Sequence, residues 1–307
     1  MPPTIARRQL ELAGQSVPLV EVTGTGDGPL LTVISGVHGC EYASMEGVRR
    51  WLRALEATEL RGRVRAVPVL NISAFTNRTP FVVPEDGKNL NRCFPGDPAG
   101  TAADRLAYDT YQQLILGSDA VIDAHCGDMV EALEPFTLYE AGPAEDRARD
   151  IAVGYGLPYV IRQVKGPDRA VAGTTSGAAA EAGIAAITAE AGGCGLVEEH
   201  AVGLHVAGLD GVLRVLGMAA GTHPPAAPAP TLLSRFIWLR CERAGWWSPA
   251  VGAGDTVAAG QVIGTVSTLD GSQVLETITA PADGVIIFLT SSPAVADDGL
   301  LLGLGAR

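Results

Sequence analysis

The stretch Pro29-Leu30-Leu31-Thr32-Val33-Ile34-Ser35-Gly36-Val37-His38-Gly39-Cys40-Glu41 decides the fold. Its first nine residues form an almost continuous apolar run rather than a strict alternation, the pattern of a strand covered on both faces. Its last four put an imidazole and a carboxylate three residues apart where that strand gives way to a helix. Similar apolar runs recur at 63–72, 119–124, 158–161 and 183–189. Between them lie helix-period stretches: 42–56 with Met45, Val48, Leu52 and Leu55 on one stripe, 103–116 ending at Gly117, and Val197 to Val215. This alternation predicts an α/β domain with a mixed, largely parallel sheet flanked by helices.

Two more of the runs end on residues with metal chemistry. His125 closes the run from Ser118, and Glu190 closes the run from Ile184. Ligands of open α/β sheets bind beyond the carboxyl ends of the strands, so His38, Glu41, His125 and Glu190 are expected at one edge. Two imidazoles and a carboxylate are the ligand set of a catalytic zinc, which keeps a position open for water. A further carboxylate beside such an ion can act as general base. Taken alone, His38 and Glu41 read more readily as a satisfied histidine beside a helix-capping glutamate; the convergence of the three strand ends turns the reading to a metal site. Asp123, two residues before His125 and on the same side of the strand, is a candidate partner for its imidazole. His200 and His205 lie five apart on a helix, so they point in different directions and read as surface or packing residues; His223 falls in a linker.

Composition limits the alternatives. With 47% hydrophobic and 18% charged residues, the chain of 307 residues can bury a catalytic core and a smaller domain. A formal net charge of -12 argues against a nucleic-acid partner. No basic amphipathic stretch or membrane-length apolar run occurs, and the N-terminus lacks the apolar region of a secretory signal. Five cysteines without framework spacing fit a cytoplasmic protein with reduced thiols, four of them (Cys40, Cys93, Cys126, Cys194) beside the motifs as small packed groups. Lysine occurs only at Lys88 and Lys165.

The loop from Asn71 to Gly96 carries Arg78, Asn91 and Arg92. A guanidinium beside an amide suits a carboxylate, and a second guanidinium can polarise a carbonyl; the same residues also suit a solvated loop. Downstream, residues 223–231 form a Pro/Ala-rich linker separating a catalytic domain at 1–222 from a β-rich domain at 232–307. Short β-like segments at 236–240, 261–266, 274–279 and 285–290 alternate with turns in that last part.

These strings carry a resemblance. His38-Gly39-Cys40-Glu41, Asp86 to Gly96, Asp123-Ala124-His125 and Glu190-Ala191-Gly192-Gly193 together resemble the succinylglutamate desuccinylase/aspartoacylase family, zinc enzymes related in fold to carboxypeptidase A. The resemblance spans about residues 30 to 195, and Cys40 departs from the Asp or Asn usual there. It implies one zinc per chain held by His38, Glu41 and His125, with Arg78 polarising the scissile carbonyl. Asn91 and Arg92 would hold a substrate carboxylate, and Glu190 would serve as base and then acid.

The segments Gly252 to Gly264 and Ala280 to Val285 resemble biotinyl/lipoyl-type barrel-sandwich domains, but no lysine follows Lys165 to carry such a group. That part is expected to wall the active site. Residues 165–177, with Lys165, Arg169, Thr174, Thr175 and Ser176, are candidates for reading the variable end of the substrate; Thr174 and Ser176 are the favoured pair. The expected activity is hydrolysis, by metal-activated water, of the amide of a small carboxylate-bearing N-acyl amino acid, in a chain able to form a homo-oligomer. A metallocarboxypeptidase acting on short peptides would use the same groups. A non-catalytic carrier built on the lipoyl-like domain is the alternative outside the hydrolases.

Overall fold

The computed structural model describes residues 2–163, 172–219 and 229–306. Strands β1 (Thr4–Leu12) and β2 (Gln15–Thr23) form a hairpin, followed by β3 (Leu30–Ser35), α1 (Tyr42–Ala54), β4 (Arg63–Val67), α2 (Ile72–Asn77) and α3 (Ala102–Thr110). Next come β5 (Ala120–His125), β6 (Glu131–Leu133), β7 (Phe136–Glu140), α4 (Glu145–Tyr155), β8 (Tyr159–Gln163), α5 (Thr175–Glu181), β9 (Ala185–Glu190), α6 (Glu199–Val215) and β10 (Thr231–Leu233). Nine of these strands make one mixed sheet in the order β1-β2-β4-β3-β5-β9-β7-β8-β10. Its centre, β4-β3-β5-β9, is parallel.

The apolar runs are strands covered on both faces. Along β5, Ala120, Ile122 and Ala124 pack with α1, α4 and α6, whereas Val121 packs on the opposite face with α3 and α5. Asp123 and His125 share the Val121 side, since side chains alternate along a strand. The run from Arg63 stops as a strand at Val67, because Pro68 cannot donate to the ladder. The chain then enters α2, in a stretch whose composition reads as a loop.

The remaining strands are β11 (Arg235–Arg240), β12 (Gly245–Pro249), β13 (Thr256–Val257), β14 (Val262–Ser267), β15 (Val274–Thr279), β16 (Gly284–Thr290), β17 (Ala294–Val295) and β18 (Leu300–Ala306). They form two antiparallel sheets, β11-β18-β16-β13 and β15-β14-β12-β17, around a core containing Trp247, Ile263 and Leu302. Two features tie this part to the first. β10 lies parallel to β8 in the large sheet and begins on the last residue of the linker expected at 223–231, most of which (223–228) falls outside the described residues. β6 pairs antiparallel with β16, Glu131 opposite Thr290 and Leu133 opposite Phe288. Beneath that ladder Phe136, Ile161, Leu233, Val285 and Ile287 close a buried apolar seam. Among the described residues no helix is long and apolar enough to cross a membrane.

Candidate active site

His38 sits in the turn after β3, and Glu41 occupies the N-cap position of α1. The Glu41 side chain does not cap the helix. It spans two imidazoles instead, with Oε1 2.5 Å from His38 Nδ1 and Oε2 2.8 Å from His125 Nδ1. The three residues are buried and are the only such group among the described residues whose ligand atoms converge within 4.8 Å. The turn can hold His38 there because Gly39 has no Cβ; one would meet the carbonyl carbon of Ala74 at 2.3 Å.

Each imidazole is held from behind. His38 Nε2 faces Asn89 Oδ1 at 3.0 Å, and His125 Nε2 lies 2.9 Å from Asp123 Oδ2. Asp123 is fully buried, and although it stands this close to His125, neither carboxylate oxygen has a well-aligned hydrogen-bond donor among the described residues. Both Nδ1 atoms are thereby turned toward the Glu41 carboxylate. Two imidazole nitrogens and one carboxylate, oriented by groups behind them, fit a divalent transition metal of the zinc type.

Electrostatics follow from burial. Burial pushes Glu41 up, but the His125 and His38 imidazoles outweigh it and hold the carboxylate below its ordinary range. Burial works against protonation of the two imidazoles, yet Glu41 raises His38, and Asp123 together with Glu41 raises His125 further. Glu190, at the end of β9 and in register with His125, is pushed well up by burial and by the carboxylates around it, against the pull of His125.

A cavity of about 320 Å³ opens onto this group. Asn91, Arg92, Thr174, Ser176 and Glu190 line it with the three candidate ligands. Asn91 Oδ1 accepts from the Thr175 amide at 2.9 Å and its hydroxyl at 3.1 Å, which leaves the side-chain N–H groups of Asn91 to other partners. Thr174 caps α5 through the Gly177 amide, and Ser176 Oγ accepts from Thr188 at 3.0 Å. Arg92 donates to the Asn91 carbonyl at 2.7 Å.

Arg78 is not brought to the cavity wall. It is the left-handed C-cap of α2 (φ 54), exposed, and its guanidinium has no hydrogen bond or ion pair among the described residues. Its charge nevertheless acts on Cys40 and Tyr42 beside the ligands. Lys165 and Arg169 lie outside the described residues. Cys40 and Cys126 are buried, Cys93 and Cys194 half-buried, and none forms a disulfide among the described residues. His205 is a buried packing residue and His200 is exposed.

Several lining residues carry no sequence signal of their own. Asn89 lies within the Asp86–Gly96 string and was legible only as part of it. Glu131 lies on the three-residue strand β6, half-buried, its carboxylate accepting from the Asp128 amide at 3.2 Å; burial pushes it up to about 7. Phe236, Trp238, Phe288 and Leu300 come from the C-terminal sheets. The ring of Trp238 stands 4.9 Å from that of Phe236 and 5.1 Å from that of Phe288, and the Trp238 Nε1 is buried without an acceptor among the described residues.

Comparison with known proteins gives a consistent result. Residues 27–216 match the sequence profile of the succinylglutamate desuccinylase/aspartoacylase catalytic domain. The chain is 31% identical over 276 residues to an N-alpha-acetyl-L-2,4-diaminobutyric acid deacetylase from Halomonas elongata, covering 87% of this chain and 79% of that one. Its fold is similar to the product-bound ectoine utilization protein EutE (DoeB) from Ruegeria pomeroyi, with a TM-score of 0.86, 22% identity, and coverage of 99% and 95% of the two chains. A succinylglutamate desuccinylase/aspartoacylase from Rhodobacter sphaeroides superposes with a TM-score of 0.83 at 24% identity, covering 98% and 94%.

Proposed function

This chain belongs to the succinylglutamate desuccinylase/aspartoacylase family, and from that premise we propose that it is a zinc-dependent amidohydrolase removing the acyl group from a small N-acyl amino acid. The observation that carries the reading is the convergence of His38, Glu41 and His125 in a cavity that Glu190 also lines. We assign one zinc ion per chain to His38, Glu41 and His125. When bound, such an ion supplies a Lewis acid that makes water more acidic and polarises a carbonyl.

Glu190 is the proton carrier. Its desolvated carboxylate takes a proton from the attacking water and returns it to the leaving amine as the C–N bond breaks, giving a carboxylic acid and an amine. A carboxyl held above its ordinary range suits both halves of that exchange. Arg92 and the amide N–H groups of Asn91 hold the substrate carboxylate, with Thr174 and Ser176 at the flank. Arg78 is assigned to the carbonyl through the family resemblance, its unpaired guanidinium turning from solvent toward the Cys40 side of the site.

The division into a catalytic domain at 1–222 and a β-domain at 232–307 of the barrel-sandwich, biotinyl/lipoyl-like type belongs to the same proposal. Two antiparallel sheets and the absence of any lysine after Lys165 support a wall over the cavity rather than a carrier. A cavity of only about 320 Å³ favours small amides over peptide chains.

The test is Glu190→Gln in the metal-loaded protein. It should bind zinc as the parent does and lose at least ~10²-fold in hydrolysis of N-acyl amino acids. Full activity in that variant, or an active protein free of divalent metal, overturns the proposal.

A further inference from the structure

We propose that the outer edge of β1 is a self-pairing surface. Two copies of this chain join their β1 strands antiparallel about Gln9, so that one sheet runs through both, with Arg7 of each protomer against Glu11 of the other.

β1 is the end strand of the large sheet and pairs only with β2. The two strands meet in a two-residue turn, Ala13-Gly14, with both residues at positive φ (49 and 80). That is the type I′ geometry, in which the flanking residues, here Leu12 and Gln15, exchange hydrogen bonds. Bonded pairs alternate along an antiparallel ladder. Leu10, Arg8, Ala6 and Thr4 therefore bond inward to β2, while Glu11, Gln9, Arg7 and Ile5 turn their N–H and C=O groups outward. Pro18 agrees with this parity, since it stands opposite Gln9, where the hairpin needs no amide. From Thr4 to Gln9 every residue is exposed, and no described residue outside the hairpin hydrogen-bonds to the outward backbone groups.

Charge selects both the occupant and the register. Outward groups meet only where odd-numbered residues oppose odd-numbered residues. Centred on Arg7 or on Arg8, such a pairing sets two like guanidinium groups face to face, which is unfavourable. Centred on Gln9, it sets Arg7 opposite the partner's Glu11 and Glu11 opposite the partner's Arg7, all on one face. Among these registers it is the one that opposes charges of unlike sign. On the other face the half-buried Leu10 gains the aliphatic stem of the partner's Arg8 as cover. Charges on an edge strand commonly keep it single. Here they have both signs, spaced four apart, and complement a second copy instead. Arg7 and Glu11 have no side-chain partner among the described residues, whereas Arg8 is already tied to Glu21 at 2.8 Å. No residue of β1 lines the cavity, so the pairing stands or falls apart from the hydrolytic reading.

Sedimentation equilibrium of the full chain, over roughly 1 to 100 µM, is the test, because association follows protomer concentration. Wild type should dimerise, and more weakly as salt rises. Arg7→Glu and Glu11→Arg should each weaken the dimer by at least ~10-fold, since each makes both reciprocal pairs repulsive. Mixed in equal amounts, R7E and E11R should form a dimer again, because every charged pair across that hybrid is once more Arg against Glu. The double variant R7E/E11R should recover it as well. Gln9→Pro removes an outward donor on the axis and should leave a monomer whose circular dichroism matches wild type. A wild type that stays monomeric overturns the pairing and leaves the edge to some other chain. So does a dimer that R7E, E11R and Q9P all leave intact, or one that neither mixing nor the double variant restores.

Discussion

Asp123 and His125 lie on the same face of β5, two residues apart, and the Asp123 carboxylate stands 2.9 Å behind the His125 Nε2. The pair fixes which ring nitrogen points at Glu41. Asp123 is wholly enclosed, so its negative charge is tolerated only as long as the imidazole, and whatever the imidazole binds, remains positive.

Replacing Asp123 by Asn keeps the shape and removes the charge. D123N should weaken zinc binding by about 10- to 100-fold, the usual cost of losing a partner behind a metal-binding histidine. Competition against a chromogenic chelator measures it. Unchanged affinity would mean that the carboxylate plays no part in holding the ring.

Metal binding should tighten as pH rises. Despite burial, the pKa of His38 is raised, chiefly by Glu41, and that of His125 is raised well above 6.5 by Asp123 and Glu41, so an arriving ion must displace protons that both rings bind more tightly than a free imidazole does. Each displaced proton contributes one decade, giving about 10- to 100-fold per pH unit while both compete. Chelator titrations at pH 6, 7 and 8 read the slope directly. A flat profile would show that the imidazoles are neutral before the ion arrives.

His205 makes the opposite contribution, to folding. Its Nε2 donates to the Ala191 carbonyl at 3.1 Å, so its Nδ1 accepts from the Tyr155 hydroxyl at 2.9 Å, and burial lowers its pKa to about 4. The folded value lies below the unfolded ~6.5, so the unfolded chain binds the extra proton between them. The stabilisation is complete above pH ~6.5 and is lost as pH falls through about 4, on the order of 3 kcal/mol in all. Denaturant unfolding of metal-free wild type and His205→Gln at pH 7 and pH 4.5 should show the steeper acid loss in wild type. Parallel losses would reject the assignment.

Gly39→Ala tests the turn that carries His38. The new Cβ would press on the Ala74 carbonyl, and either α2 or the histidine must move. We expect a loss of about 1–3 kcal/mol with weakened zinc affinity. Gly203→Ala, on α6 with nothing near its Cβ, should be neutral or slightly stabilising. Equal melting temperatures for the two variants would count against the close approach.

The parallel centre of the sheet was readable because its strands are buried on both sides and so appear as unbroken apolar runs. His38, Glu41, His125 and Glu190 were readable as candidates because those runs end on them, and the fold brings them to one cavity. Glu131 was not readable, since β6 is too short for a periodic pattern and its partner, Thr290, lies far along the chain. α5 escaped because Gly177-Ala178-Ala179-Ala180 offers no polar face to alternate with an apolar one. Arg78 belongs to a stretch that composition reads as a loop. That stretch folds as α2 and leaves the guanidinium on its left-handed cap in solvent.

The ladder between β6 and β16 has a consequence for synthesis. Residues 288–290 leave the ribosome long after residues 131–133, and until they do, one wall of the cavity has no strand to pair with. The proposed ligands His38, Glu41 and His125 and the proposed base Glu190 all precede residue 191, whereas the β6–β16 wall of the cavity is completed only by residues 288–290. The wall of the cavity opposite the candidate ligands is therefore completed only when the end of the chain is made.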